Sequence, residues 1–132
     1  MFDFCKRVIR FRKQNPAFTR LHYFDGKPVG AGGQPDLAWY DCAGESMAWD
    51  GPELCLACQI DGSQNLGSTL YLMFNPSLND CEFKAPEGRW VVRLNTAQNA
   101  PLDLPDSADA PTLAGPSPVI VASKSMVVLA AQ

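Results

Sequence analysis

Histidine is almost missing from this sequence, and so is any concentration of positive charge. One His stands among 132 residues, and the formal net charge is −3. A nucleic-acid interface needs clustered Lys and Arg to displace counterions from phosphates, so no nucleic-acid partner is expected. No apolar run approaches the roughly 20 residues that cross a bilayer, so no membrane partner is expected either. Lys6, Arg7, Arg10, Arg12 and Lys13 interrupt the apolar stretch that a signal peptide would need near the N-terminus. The expected location is therefore cytoplasmic. Five cysteines agree with this, because scattered thiols suit a reducing compartment and an odd number cannot all pair within one chain. Phosphate-loop chemistry is also missing: the glycines from Gly26 to Gly33 do not follow a strand and open a helix.

What is present is the material of one globular domain. Hydrophobic residues make up 46% and charged residues 19%, enough for a single core in a chain of this length. Eleven prolines and ten glycines predict many turns and short elements. Phe4, Val8 and Phe11 recur at helical spacing, flanked by Cys5 and Ile9, with Asp3 near the start and basic residues toward the end, where they suit the helix dipole. Pro16 stops this helix, since the residue before a proline is pushed out of helical geometry.

Beyond it the pattern alternates. Leu21 to Phe24 reads as a short strand, Asp25 to Asp36 as a loop, Leu37 to Tyr40 as a strand and Ala43-Gly44 as a turn. Leu54, Leu56, Cys58 and Ile60 alternate with Cys55, Ala57 and Gln59, as in a half-buried strand, and Asp61 to Ser68 is a polar hairpin loop. Leu70 to Phe74 is continuously apolar, as in a central strand covered on both faces. Asn75-Pro76-Ser77 turns the chain, then Cys81 and Phe83 alternate with Glu82 and Lys84. Trp90, Val92 and Leu94 alternate with Arg93 and Asn95; 97–118 reads as a long irregular connection; Val119 to Val121 and Met126 to Ala130 close the chain. The fold class expected is mainly β: a Greek-key-like antiparallel β-sandwich of about seven or eight strands, preceded by one N-terminal α-helix. The division expected is 1–18 for the helix and 19–132 for the sandwich.

Few residues invite chemistry. Cys55-Leu-Ala-Cys58 has the spacing of a redox pair or half a zinc site. In a strand, residues three apart point to opposite faces, and no second such pair completes a tetrahedral site. His22 has no nucleophile assigned to it by spacing, and a short-strand histidine is read as structural. Asp41, Glu45, Asp50, Glu53, Asp103, Asp106 and Asp109 read as solvated loop charges, and the last three lack the glycine and glutamate of a calcium loop. The basic side of the helix reads as a solvated face, because its aromatic residues lie on the apolar stripe. Trp39, Tyr40 and Trp49 are the candidates for stacking on the apolar face of a sugar ring, whereas Trp90 reads as core.

The order of these pieces carries a resemblance. The segment from Phe4 to Phe18, ending Asn15-Pro16-Ala17-Phe18, resembles the last barrel helix of α-amylase-superfamily enzymes. Asp36-Leu-Ala-Trp39, Gly44, Met47, Trp49 and Pro52-Glu53 are similar to the opening of the C-terminal domain of isoamylase-type glycogen- and starch-debranching enzymes. Leu70-Tyr-Leu-Met-Phe-Asn75, Trp90-Val-Val-Arg-Leu-Asn-Thr96 and Ser125-Met-Val-Val-Leu129 resemble three later strands of that domain. Ala48 and Asn95 depart from the family, which tends to have acidic residues there, and 97–118 holds no family phrase.

The resemblance implies a domain without catalytic residues, cofactor or metal. The family's α-1,6-glucosidic bonds are cleaved by barrel carboxylates upstream, in a retaining arrangement about 5 Å apart. It also implies that the partner is an upstream catalytic barrel of the same polypeptide, with Phe4, Val8 and Phe11 as the barrel-packing face. Two other expectations stand beside it. One is a carbohydrate-binding module that takes α-glucan on Trp49, with Trp39 or Tyr40. The other is an interaction domain that forms a homodimer through the exposed helix.

Overall fold

A computed structural model describes residues 1–29, 33–52, 54–63, 67–106 and 108–132. Gly30 and Gly32 of the first loop, Glu53 among the loop carboxylates, and 64–66 of the polar hairpin lie outside the described residues.

Helix α1 spans Phe2–Gln14, and Asn15 ends it in an extended conformation (φ −114°, ψ 98°) while donating from Nδ2 to the Phe11 carbonyl at 2.7 Å. Pro16 then opens a 3-10 turn, Pro16–Phe18. Among the described residues ten strands follow: β1 (Pro28–Val29), β2 (Gln34–Pro35), β3 (Leu37–Tyr40), β4 (Leu56–Ile60), β5 (Leu70–Asn75), β6 (Cys81–Lys84), β7 (Gly88–Asn95), β8 (Thr112–Gly115), β9 (Pro118–Val121) and β10 (Ser125–Ala131). All their pairings are antiparallel. A six-stranded sheet runs β3-β4-β5-β10-β7-β8, β6 pairs with β9, and β1 with β2. The mainly β, antiparallel sandwich with one N-terminal helix is the fold observed.

The six-stranded sheet is buried on both faces, each against a different layer. One face packs on β6 and β9: Ala57, Tyr71, Met73, Trp90, Val127 and Leu129 meet Phe83 and Val121. The other packs on the N-terminal helices: Cys58, Ile60, Leu70, Leu72, Leu94, Val128 and Ala130 meet Phe11 and Ala17, with Phe4 and Val8 partly buried beside them. This arrangement explains the unbroken apolar run 70–74 within β5, which lies between β4 and β10 and is covered on both faces. It also corrects β4, which is covered on both faces rather than half-buried, Cys55 and Ala57 facing one layer and Cys58 and Ile60 the other.

Three further expectations change. Strand β7 does not keep one alternation: its register with β10 shifts between Val128 and Leu129, from Val128↔Leu94 to Leu129↔Val92, leaving Arg93 as the extra residue of a bulge. Trp90 and Val92 therefore face the β6–β9 layer and Leu94 faces the helix. Leu21 to Phe24 forms no strand; Leu21 and Tyr23 are exposed, and the segment is held by Arg20, which lies 4.4 Å over the Phe24 ring and bonds Asp36 at 2.8 Å. The connection 97–118 is not wholly irregular, because Thr112–Gly115 pairs with β7 at the sheet edge.

Candidate functional site

The aromatic candidates divide along β3. Successive strand residues point to opposite faces, so Trp39 and Tyr40 separate. Tyr40 packs toward the β6–β9 core, its ring 6.0 Å from that of Tyr71, and lines an open groove of about 530 Å³ with Gln34, Lys84, Glu87 and Trp90. Trp90 is core, as expected, with its Nε1 donating to the Pro86 carbonyl at 2.9 Å.

Trp39 and Trp49 come together instead. After Tyr40 the chain turns at Asp41–Gly44; Gly44 has φ +81°, a conformation that favours glycine, and donates to the Asp41 carbonyl. The return leg lies beside β3, with Ser46 bridging Tyr40 and the Met47 N–H donating to the Trp39 carbonyl at 3.0 Å. That return carries Trp49 to Trp39, ring centroids 5.8 Å apart and planes at 72°. Trp49 is 68% exposed and Trp39 37%. The edge-to-face angle means that one flat sugar face can stack on one indole of the pair, with the second as a wall.

The helix stripe is engaged within the domain. Phe11 is buried, meeting Phe18 edge-on at 5.9 Å, and Phe4 and Val8 pack on the same core. Phe2 and Ile9 remain exposed on the helix, and Leu21 and Tyr23 in the segment that follows it. Arg7 reaches from the helix to Asp103 in a two-pronged ion pair (2.7 and 2.6 Å). Asp103 is therefore buried and ion-paired rather than a solvated loop charge, and the hydrogen bonds from Arg7 hold its carboxyl below the usual range. His22 is exposed.

The thiols are less scattered than the sequence suggests. Cys55 and Cys58 do face opposite layers. Cys55, however, meets two distant cysteines: its Sγ lies 2.9 Å from that of Cys81, which lies 3.7 Å from that of Cys42. All three sulfurs fall within 4.8 Å of one another. Burial, and then the hydrogen bond with Cys81, push the Cys42 thiol well above its ordinary pKa. Burial alone pushes Cys58 up to about 11. Beside the triad Asn75, fully buried, accepts from the Cys55 thiol and donates to the Asn79, Val121 and Ala122 carbonyls, which fixes the β5–β9 corner. Spacing rules miss this triad because its members come from three separate elements.

No family model matches the sequence. The chain is 24% identical over 115 residues to proteins described as glycogen operon protein GlgX homolog, from Mycobacterium bovis and Mycobacterium tuberculosis. The similarity covers 73% of this chain and 16% of each relative, so the chain spans about a sixth of their length.

Proposed function

We propose that this chain is a non-catalytic β-sandwich domain of a glycogen- or starch-debranching hydrolase of the isoamylase type, which steadies the barrel that cleaves α-1,6-glucosidic bonds. The observation that carries the reading is the similarity to GlgX homologs across 73% of the chain, from a segment amounting to 16% of those proteins. The ordered phrases of the sequence, now placed on β3, β5, β7 and β10, support it. The two carboxylates buried among the described residues have arginine partners, Asp36 with Arg20 and Asp103 with Arg7, which suits structural roles better than acid–base work. In this reading α1 lies between the two domains, with Phe4, Val8 and Phe11 turned to the sandwich and the exposed Phe2, Ile9, Leu21 and Tyr23 available to the barrel. The test is reducing-sugar release from glycogen by the purified chain, with an immunoblot of source-cell fractions assayed for debranching. No release, and a band far above 14.4 kDa that tracks the activity, is expected; release by the chain alone refutes the reading.

The exposed Trp39–Trp49 pair favours a second reading, an α-glucan contact. One stacking contact of about 0.5–1.5 kcal/mol predicts that Trp49→Ala weakens glycogen binding about 2- to 13-fold. Unchanged affinity removes the platform.

A further inference from the structure

We propose that Cys42, Cys55 and Cys81 form a three-thiolate site for a soft divalent cation of the zinc class, with the fourth position open to solvent.

The three thiols converge from separate elements. Cys42 lies in the turn after β3, Cys55 just before β4, and Cys81 opens β6 on the facing layer. A tetrahedral ion with metal–sulfur distances of about 2.3 Å sets its sulfurs about 3.8 Å apart. The Cys42–Cys81 separation of 3.7 Å already has that value. The Cys55–Cys81 separation of 2.9 Å lies between that edge and a disulfide bond of about 2.05 Å, so this distance suits either. The third sulfur decides between them. A disulfide joins two of the three and leaves the half-buried Cys42 facing the bond, whereas an ion engages all three.

The acidic lining of the adjoining groove suits a cation. The basic side chain lining the outer groove is Lys84, while Glu45 and Glu82 line the same groove. On binding, three thiols and one M²⁺ give [M(SR)₃]⁻ and three protons. Access exists, because Cys42 opens onto that groove, about 720 Å³ in extent. Its wall also includes Ser117, whose Oγ is buried and makes no hydrogen bond among the described residues. The ion would join the β3–β4 end of the large sheet to the β6–β9 layer. The inference stands independently of the debranching assignment.

The test uses the full chain, reduced, stripped with chelator and handled without oxygen. Zn(II) is added and metal per chain is measured after desalting. One equivalent is expected, with Co(II) giving thiolate-to-metal charge-transfer absorption in its place. Cys42→Ser, Cys55→Ser and Cys81→Ser should each weaken Zn(II) roughly tenfold or more, while Cys5→Ser and Cys58→Ser leave it unchanged. A second measurement needs no variant: Zn(II) should shield Cys42, Cys55 and Cys81 from alkylation in a peptide mass map, while the exposed Cys5 stays reactive. Far less than one equivalent retained, or a shielding pattern that does not single out the triad, overturns the proposal. So does reduced protein that takes up no metal but closes a Cys55–Cys81 disulfide in air.

Discussion

Replacing Phe11 with alanine separates a helix that belongs to this domain from one that merely precedes it. Phe11 is 6% exposed and meets Phe18 edge-on while packing among Cys58, Leu72, Leu94 and Val128. Truncating a buried phenylalanine removes its transfer free energy and leaves a cavity, together about 3–5 kcal/mol. Phe2, 75% exposed on the same helix, is the control, and its loss should change stability by less than about 0.5 kcal/mol. In urea, with a slope of about 2 kcal/mol/M, the Phe11→Ala midpoint should fall by about 1.5–2.5 M at unchanged slope. Phe11→Leu keeps much of the volume and should cost no more than about 1.5 kcal/mol. The assay is equilibrium unfolding followed by tryptophan fluorescence and far-UV circular dichroism together. A Phe11→Ala midpoint that matches Phe2→Ala would refute the docking of helix on sheet.

The Arg7–Asp103 pair gives a pH signature. Its carboxyl is held below the usual range, so its stabilisation is present above the unfolded value near pH 3.9 and is lost as pH falls through the folded value. The melting-temperature gap between the parent and Asp103→Asn should accordingly be constant from pH 6 to 8 and close at strongly acid pH; a gap that persists unchanged there counts against the pair. Trp90→Phe removes the bond to the Pro86 carbonyl in a buried site and should cost about 1–3 kcal/mol in urea unfolding, with a loss under 0.5 kcal/mol refuting the role of that bond. Gly115→Ala places a Cβ against the Pro86 carbonyl, where backbone has to move, and should destabilise by at least about 1–3 kcal/mol; a neutral outcome would mean that the β7–β8 edge sits elsewhere.

What was legible in the sequence was what depends on local pattern. The helix, the Ala43-Gly44 turn and the doubly covered β5 each follow from period, glycine or an unbroken apolar run. Strand β7 was legible as a strand but not in its facing, because alternation assumes one residue per step and the bulge at Arg93 adds one. Leu21 to Phe24 alternates as a strand does, yet has no partner strand among the described residues. The Trp39–Trp49 pair was legible as two candidates but not as neighbours, since the return of 46–49 along β3 joins them. Asp103 looked solvated because its partner lies 96 positions away, and the thiol triad was invisible for the same reason.

The return of Ser46 and Met47 along β3 has one more consequence. It occupies the outer rim of the six-stranded sheet, where unsatisfied backbone groups would otherwise invite another chain. At the opposite rim β8 is four residues long and lies between Pro111 and Pro116, which have no N–H to offer a newcomer. Neither rim of the large sheet therefore favours growth by strand addition.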